Sequence, residues 1–412
     1  MKSISKFALG MTFFLVGVSP AAMAAVQQQQ APAPAREYKL SKEERNGLAP
    51  LQAAVNAKDT AAATAALPAA QAAAKGADAQ YVLGQLMLKL GIDSNNEAIQ
   101  RQAIDRLLAT ASTPQKDLST LYLNQAALAD RAGDRKTAEN ALTKAAQISP
   151  NDPDVLLSLA ELKVDGKKGA EAVDLISRAI DMRKAAGQPV PDTWYKRALS
   201  LAFQNKMAPQ SVALGKALVA AYPTPTNWRD ALLIYRDSST LDAQAQLDLF
   251  RLMRAAKGLT GERDYFRFAD QLKSGGFPGE SKAVLDEGVA ARHVDAAKSP
   301  FKELIAANTV QMKGDRESLG GLETKALASG TGQMALSTAD AYYGYGDYAK
   351  AAALYRAALQ KGGVDANLVN TRLGAALAQS GQKVEAEAAL KAVQGPRADI
   401  AAFWMAWLNQ RG

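Results

Sequence analysis

The 412-residue chain has no cysteine and a single histidine. The first absence excludes disulfides, thiolate metal sites and a cysteine nucleophile. The second leaves His293 without the partner imidazole that helical zinc motifs use. Aromatic residues supply only 6% of the sequence, so buried contacts are expected to be close helix-helix approaches over small side chains, not bulky layers. Dense runs of one charge sign are also missing. The formal charge of +8 is spread over stretches such as "WRDALLIYRD" and "GERDYFRFAD", where basic and acidic residues interleave. That is a solvated helical surface, and no nucleic-acid partner is expected from it. The glycine-rich "KSGGFPGES" lacks the Lys-Ser/Thr ending and preceding strand of a phosphate loop. No cofactor is expected.

Long apolar runs are scarce, and the one at the N-terminus is of a special kind. Lys2 and Lys6 precede "FALGMTFFLVGV", which is followed by Ser19-Pro20 and "AAMAA". A basic start, a short apolar run and an A-x-A site are the marks of a secretory signal peptide, here residues 1–24, with Ala22 and Ala24 before the cut. The run is shorter than the ~17–25 residues of a spanning helix. The mature chain is therefore expected in the periplasm with no transmembrane segment. Residues 25–46 begin with a Gln run and Ala-Pro alternation, the composition of a flexible linker. Near its end, Ser41 and Glu44 have the spacing of a capping box.

Beyond the linker the pattern is helical throughout, punctuated by Gly, Pro and Asn/Asp turns, and no segment alternates as a strand does. It also repeats. Ala126, Leu128, Ala138, Leu142 and Ala145 recur 34 residues on as Ala160, Leu162, Ala172, Ile176 and Ala179. A second pair has period 35: Ala339, Tyr342, Gly346, Ala351, Tyr355 and Ala358 map to Gly374, Leu377, Gly381, Ala386, Leu390 and Val393.

The series Ala126, Ala129, Gly133-Asp134, Ala138, Leu142, Ala145 and Pro150 resembles the tetratricopeptide repeat, a helix-turn-helix unit of about 34 residues. Ala129 departs from it, standing where a tyrosine is usual. Weaker copies run from Tyr81 to Thr110 (Gly84, Met87, Gly91, Ala103, Leu107), from Trp194 to Pro223 (Ala198, Leu201, Leu214, Ala217) and from Tyr265 to Gly288 (Ala269, Leu272, Gly276, Ser281, Leu285). Phe301 to Ala326 keeps only the expected turn Gly314-Asp315, and residues 226–257 read as two helices with little repeat signal. The resemblance implies an all-α fold, an α-solenoid of stacked antiparallel helix pairs forming a right-handed superhelix over residues 47–395. Residues 396–412 would close it as a capping helix, with Ile400, Phe403, Trp404, Trp407 and Leu408 on one apolar stripe.

Catalytic patterns are near-misses. "GESKA" around Ser281, followed by Asp286 and His293, imitates a nucleophile elbow, but a helix precedes it where a strand is required, and its last Gly is Ala283. Ser299 and Lys302 match a bare S-x-x-K spacing without companions. His293 suits the C-terminal end of its helix.

A surface remains. The resemblance implies that first helices line a concave groove that grips segments of other proteins. Groove-facing positions are then Tyr81, Gln85, Lys89, Glu161, Tyr195, Arg263, Asp270, Asp340 and Tyr343. The family's best-known groove holds a free carboxylate through lysines and asparagines. Those places carry Leu123, Ala127, Leu157 and Glu161 here, which argues against a chaperone-tail adaptor. The expected function is a non-enzymatic periplasmic scaffold for protein partners, within an envelope assembly or an exopolysaccharide export machine. Two other readings are a carbohydrate- or membrane-surface-binding module using exposed Trp404 and Trp407, and a serine hydrolase using Ser281 or Ser299. In "YYGYGDYAKAAALYRAAL", Tyr342 and Tyr355 are expected in the core. Tyr345 and Tyr348 should staple the turn, leaving Tyr343 towards the groove.

Overall fold

Ser41 caps the first helix: its hydroxyl accepts from the Glu44 N–H at 3.1 Å while the Ser41 N–H donates to Glu44 Oε2 at 2.8 Å. This is the expected capping box, and it starts a helix inside the last residues of the linker span. The computed structural model describes residues 37–411; the expected signal peptide and most of the linker lie outside the described residues. In chain order the helices are α1 (Lys42–Asn56), α2 (Thr60–Ala73), α3 (Ala77–Asp93), α4 (Glu97–Ala109), α5 (Gln115–Arg131), α6 (Arg135–Ile148), α7 (Pro153–Asp165), α8 (Gly169–Ala185), α9 (Asp192–Gln204) and α10 (Ala208–Ala221). There follow α11 (Pro225–Ser238), α12 (Ala243–Ala255), α13 (Gly261–Ser274), α14 (Pro278–Ala290), α15 (Phe301–Ala328), α16 (Gln333–Gly344), α17 (Tyr348–Lys361), α18 (Ala366–Gln379), α19 (Lys383–Lys391) and α20 (Ala398–Asn409). Among the described residues there is no strand. The fold is an all-α solenoid of consecutive helix pairs.

One turn geometry recurs inside the pairs. A single residue in the left-handed region ends the first helix at Lys58, Asn95, Gly133, Lys167, Lys206, Gly276, Gly346 and Gly381. At Gly133 the φ is 78°, and the next N–H, of Asp134, bonds back to Ala129 O at 2.9 Å. At Lys167 the φ is 60° and the N–H of Lys168 reaches Lys163 O at 2.7 Å. Each turn thus satisfies carbonyls that the helix end leaves free. Asp134 then caps α6, its carboxylate accepting from the Thr137 N–H at 3.1 Å. Close approach holds the pairs together. A Cβ added to Gly84 of α3 would lie 2.8 Å from Leu107 of α4, too near for any side chain but hydrogen.

Four helices stand outside the pairing. Residues 226–257 do form two helices, α11 and α12, but α12 is not a surface partner of α11. Leu247 to Met253 are all buried, and α12 packs on α11, α13, α18 and α20. A helix buried on every side lies at the centre of its neighbours. α15 corrects the expectation of a turn at Gly314-Asp315: it runs unbroken for 28 residues. The Asp that should cap a second helix is engaged elsewhere, Asp315 Oδ2 accepting from the Tyr345 hydroxyl at 2.7 Å. Without that cap and without a left-handed residue, the two halves of the unit stay one helix.

α20 covers the end of the array, with Ile400, Phe403, Trp404, Trp407 and Leu408 buried as the stripe predicts. It also reaches back to α10 and α12. Lys216 of α10 pairs with Asp399 at 2.9 Å. Trp228 Nε1 donates to Gln410 Oε1 at 3.2 Å, Gln410 Nε2 to Val219 O at 2.9 Å, and Trp407 Nε1 to Ala255 O at 3.1 Å. Phe403 lies between Tyr235 and Trp228, with ring centroids 5.6 and 6.3 Å away. From α10 onward, then, the solenoid closes on itself around α12 and α20, whereas among the described residues no comparable return packing covers α3 to α9.

Candidate functional site

The closed half has a charged interior. Arg251 of α12 forks onto Glu280 of α14, Nε to Oε1 at 3.1 Å and Nη2 to Oε2 at 2.6 Å. Its Nη1 approaches Asp340 Oδ1 of α16 at 3.5 Å, and its guanidinium lies 4.6 Å from the Tyr343 ring centroid. Arg372 of α18 donates through Nε to Asp248 Oδ1 at 2.8 Å, through Nη1 to Asp340 Oδ2 at 2.6 Å, and to Gln244. Arg397, just before α20, donates to Asp248 and to Asp242 Oδ1, the latter at 3.3 Å. The Tyr355 hydroxyl donates to Asp340 Oδ1 at 2.6 Å. Three buried guanidinium groups thus face three buried carboxylates, Asp248, Glu280 and Asp340, with the exposed Asp242 at the edge of the network. Burial alone would lower the pKa of Arg251, but the facing Glu280 and Asp340 carboxylates outweigh it and hold the pKa well above the usual value. For Arg372, Asp248 and Asp340 likewise outweigh burial and raise the pKa.

This interior corrects two expected groove residues. Asp340 and Tyr343 are 4% and 5% exposed and belong to the network, not to a groove. Tyr343 meets Tyr348 edge-on at 5.1 Å, and Tyr345 ties α16 to α15 through Asp315 instead of stapling α16 to α17. Tyr342 and Tyr355 are in the core as expected. The space enclosed by Asp248, Arg251, Tyr343, Thr371, Arg372, Ala375 and Trp404 has no room for a water molecule.

Tyr81 and Tyr195 are also buried. Tyr81 packs on Tyr38, centroids 5.6 Å apart, and its hydroxyl accepts from Gln85 Nε2 at 2.7 Å. Tyr195 meets Tyr222 edge-on. Both were placed by projecting an aromatic outward from a repeat position, whereas each finds an inward partner that burial of a large ring favours. Gln85 and Lys89 are half-buried on α3, with Lys89 paired to Asp93 at 2.9 Å. Glu161 is exposed and takes both arms of Arg197, at 3.1 and 2.7 Å, linking α7 to α9. Arg263 and Asp270 are exposed on α13. The nine residues do not converge on one site.

Sequence reasoning missed a cleft between α9 and α11, floored by Leu218 of α10. It offers about 360 Å³ of space, lined by Leu199, Phe203, Leu218, Leu233 and Ile234, with Lys196, Ser200 and Asp230 also on its walls. Phe203 is 40% exposed. α11 lies in the stretch of weak repeat signal, so nothing in the periodicity marks Leu233 and Ile234 as half-buried walls of a cleft.

The serine near-misses have other work. Ser281 is fully buried, its Oγ donating to Ala269 O at 2.7 Å and accepting from Asn308 Nδ2 at 2.6 Å. Its proton is thus committed to a main-chain carbonyl. Asp286 pairs with Lys282, and His293 stacks on Tyr265 at 5.8 Å. Ser299 Oγ donates to Glu303 at 2.8 Å on the surface. Among the described residues no helix is long and apolar enough to cross a membrane.

Residues 131–185 match the family model described as tetratricopeptide repeat. No curated protein matches the chain. Among solved structures, it is similar to a tetratricopeptide repeat protein from Parabacteroides merdae ATCC 43184, at 12% identity over 82% of this chain and 100% of that one, with a TM-score of 0.33. It is also similar to the P58(IPK) TPR domain, at 13% identity over 82% and 98% of the two chains and a TM-score of 0.26. For yeast Tom70 the values are 13%, 81%, 88% and 0.22. Likenesses of this size carry no functional inference. Residues 131–185, from the end of α5 through α8, thus match the tetratricopeptide repeat model, and the helix pairs and turns on either side of them recur with the same order of elements.

Proposed function

We propose that the protein is a non-enzymatic periplasmic scaffold that holds a segment of another protein on the first-helix face of its N-terminal half, α3 to α9, and on the adjoining face of α11 turned away from α20. The observation that carries this reading is the division of the solenoid. In the C-terminal half, α12 and α20 occupy the inner face, and the buried charged groups there satisfy one another. In the N-terminal half, half-buried apolar and amide side chains of first helices, including Leu86, Leu123, Asn124 and Leu157, have no such cover. Half-buried side chains on an uncovered solenoid face are what partner segments use. The closed half then serves as a stiff base. The leader-like N-terminus supports export, and an envelope assembly or exopolysaccharide export machine is the setting that fits an exported scaffold.

A photo-crosslinking residue at Gln85 or Leu123, in the native envelope, is expected to capture one reproducible protein partner. The same probe at Arg263 or Asp270, on the closed half, is expected to capture none. Absence of any reproducible partner from the first pair removes the scaffold reading. N-terminal sequencing of the mature protein is expected to begin at Ala25.

A further inference from the structure

We infer that the cleft between α9 and α11 is a docking site for an amphipathic helix whose apolar stripe is flanked by lysine or arginine; this rests on the scaffold reading and names its partner's chemistry. α11 has two faces with different tasks. Trp228, Leu232 and Tyr235 are buried, and Trp228 and Tyr235 lie against Phe403 of α20. The opposite face carries Asp230, Leu233 and Ile234, spaced i, i+3 and i+4, and lines the cleft. On α9, Lys196, Leu199, Ser200 and Phe203 follow the same spacing on the facing wall. Two helices thus present matching stripes across one apolar trough, the receptor geometry for a third helix laid between them.

The size and the charge of the trough select the guest. About 360 Å³ accommodates a few large apolar side chains, the number a helix offers at i, i+3 or i+4 and i+7. Phe203 at 40% exposure is a large ring that covering would bury. Charges near the trough are internally cancelled with one exception. Lys196 is held by Asp192 at 2.6 Å, Arg197 by Glu161, and Arg236 by Asp237 at 2.8 Å. Asp230 is exposed and makes no hydrogen bond or ion pair among the described residues. Its carboxylate is the uncompensated charge at the rim, so a guest with a cation beside its apolar stripe is favoured and one with a carboxylate there is repelled.

The test uses the full mature chain and three 16-residue helical peptides with the same Leu/Phe stripe at i, i+4 and i+7, flanked by Lys, Ser or Glu, with binding read by fluorescence anisotropy. The Lys peptide is expected to bind tightest and the Glu peptide weakest. Phe203→Ala is expected to weaken the Lys peptide by about tenfold or more, as truncating an apolar anchor does. Asp230→Lys is expected to reverse the order of the Lys and Glu peptides. The inference is overturned if the Lys peptide does not bind, if the Glu peptide binds as well to the unaltered protein, or if neither substitution changes the affinities. It is also overturned if sedimentation shows a dimer that Phe203→Ala dissociates, since the trough is then an interface between copies. Both substituted residues are exposed, and an unchanged circular dichroism melt establishes folding. If peptide binding fails while crosslinking from Leu123 still captures a partner, the cleft assignment falls and the scaffold reading stands; loss of both removes both.

Discussion

Asp248 accepts from Arg372 at 2.8 Å across 124 residues of sequence, and from Arg397 on its other oxygen. One carboxylate on the central helix therefore fixes where both α18 and the start of α20 sit. Replacing Arg372 by Met leaves Asp248 and Asp340 short of a buried partner, and is expected to cost about 3–5 kcal/mol, because the loss of one member leaves an uncompensated buried charge. Urea unfolding of the variant checks this. A cost below 1 kcal/mol would mean that water reaches the network.

Trp404 and Trp407 are 0% and 5% exposed, so neither offers a free aromatic face to sugar or membrane. Acrylamide quenching is expected to act mainly on the half-buried Trp194, and W194F should remove most of the quenchable emission. Strong residual quenching in that variant would restore the aromatic-surface reading. Trp407→Ala is expected to cost about 3–5 kcal/mol by emptying a packed site.

Lys167 and Lys206 hold left-handed φ values of 60° and 56° at exposed turns where other pairs use glycine. A side chain there is strained relative to glycine. Lys167→Gly and Lys206→Gly are each expected to raise stability by about 0.5–1 kcal/mol. A fall in the melting midpoint would show that the lysine side chains contribute more than the strain costs.

Glu44 accepts from the N–H groups of Gly76 at 2.7 Å, Ser41 at 2.8 Å and Lys75 at 3.1 Å. These main-chain donors, Gly76 foremost, hold its pKa below the ordinary 4.5. A carboxyl group depressed in the folded state contributes stability above its unfolded pKa and loses it as pH falls through the folded value. Glu44→Gln is therefore expected to be less stable than the unaltered chain at pH 7, with the gap closing below about pH 4.5. A gap that stayed constant down to pH 2 would show that the carboxylate charge is not what matters. Thermal melts across that range decide it.

The repeat units were legible in the sequence because their causes are local. Ala126 and Ala160 are small where helices cross, and Gly133-Asp134 supplies both a left-handed residue and a cap. The lysine turns were harder to read, because Lys167 and Lys206 take the glycine conformation without the glycine. What the sequence hid was non-local. Nothing in the sequence around Asp340 says that Arg251, 89 residues before it, and Arg372, 32 residues after it, will converge on it, and Tyr343 lies next to a repeat position in one of the clearest units. Outward projection from a repeat assumes an open array, and the C-terminal half is not open. α15 failed for a similar reason: the Gly314-Asp315 pair is a turn signal only while Asp315 is free to cap, and Tyr345 takes it. The cleft went unseen because α11 spends its strongest apolar residues on α20, leaving Leu233 and Ile234 without a repeat pattern to flag them.

The return of α20 to α10 also sets an order of assembly. During synthesis from the N-terminus, α1 to α9 have all their packing partners once α10 and α11 have emerged, and can fold as local units. The later helices can gather around α12, but one side of it stays uncovered until Phe403, Trp404 and Trp407 of α20 are made. A chain stopped short by even one turn at its C-terminus would keep its N-terminal repeats and lose the ties from Gln410 that close the other half.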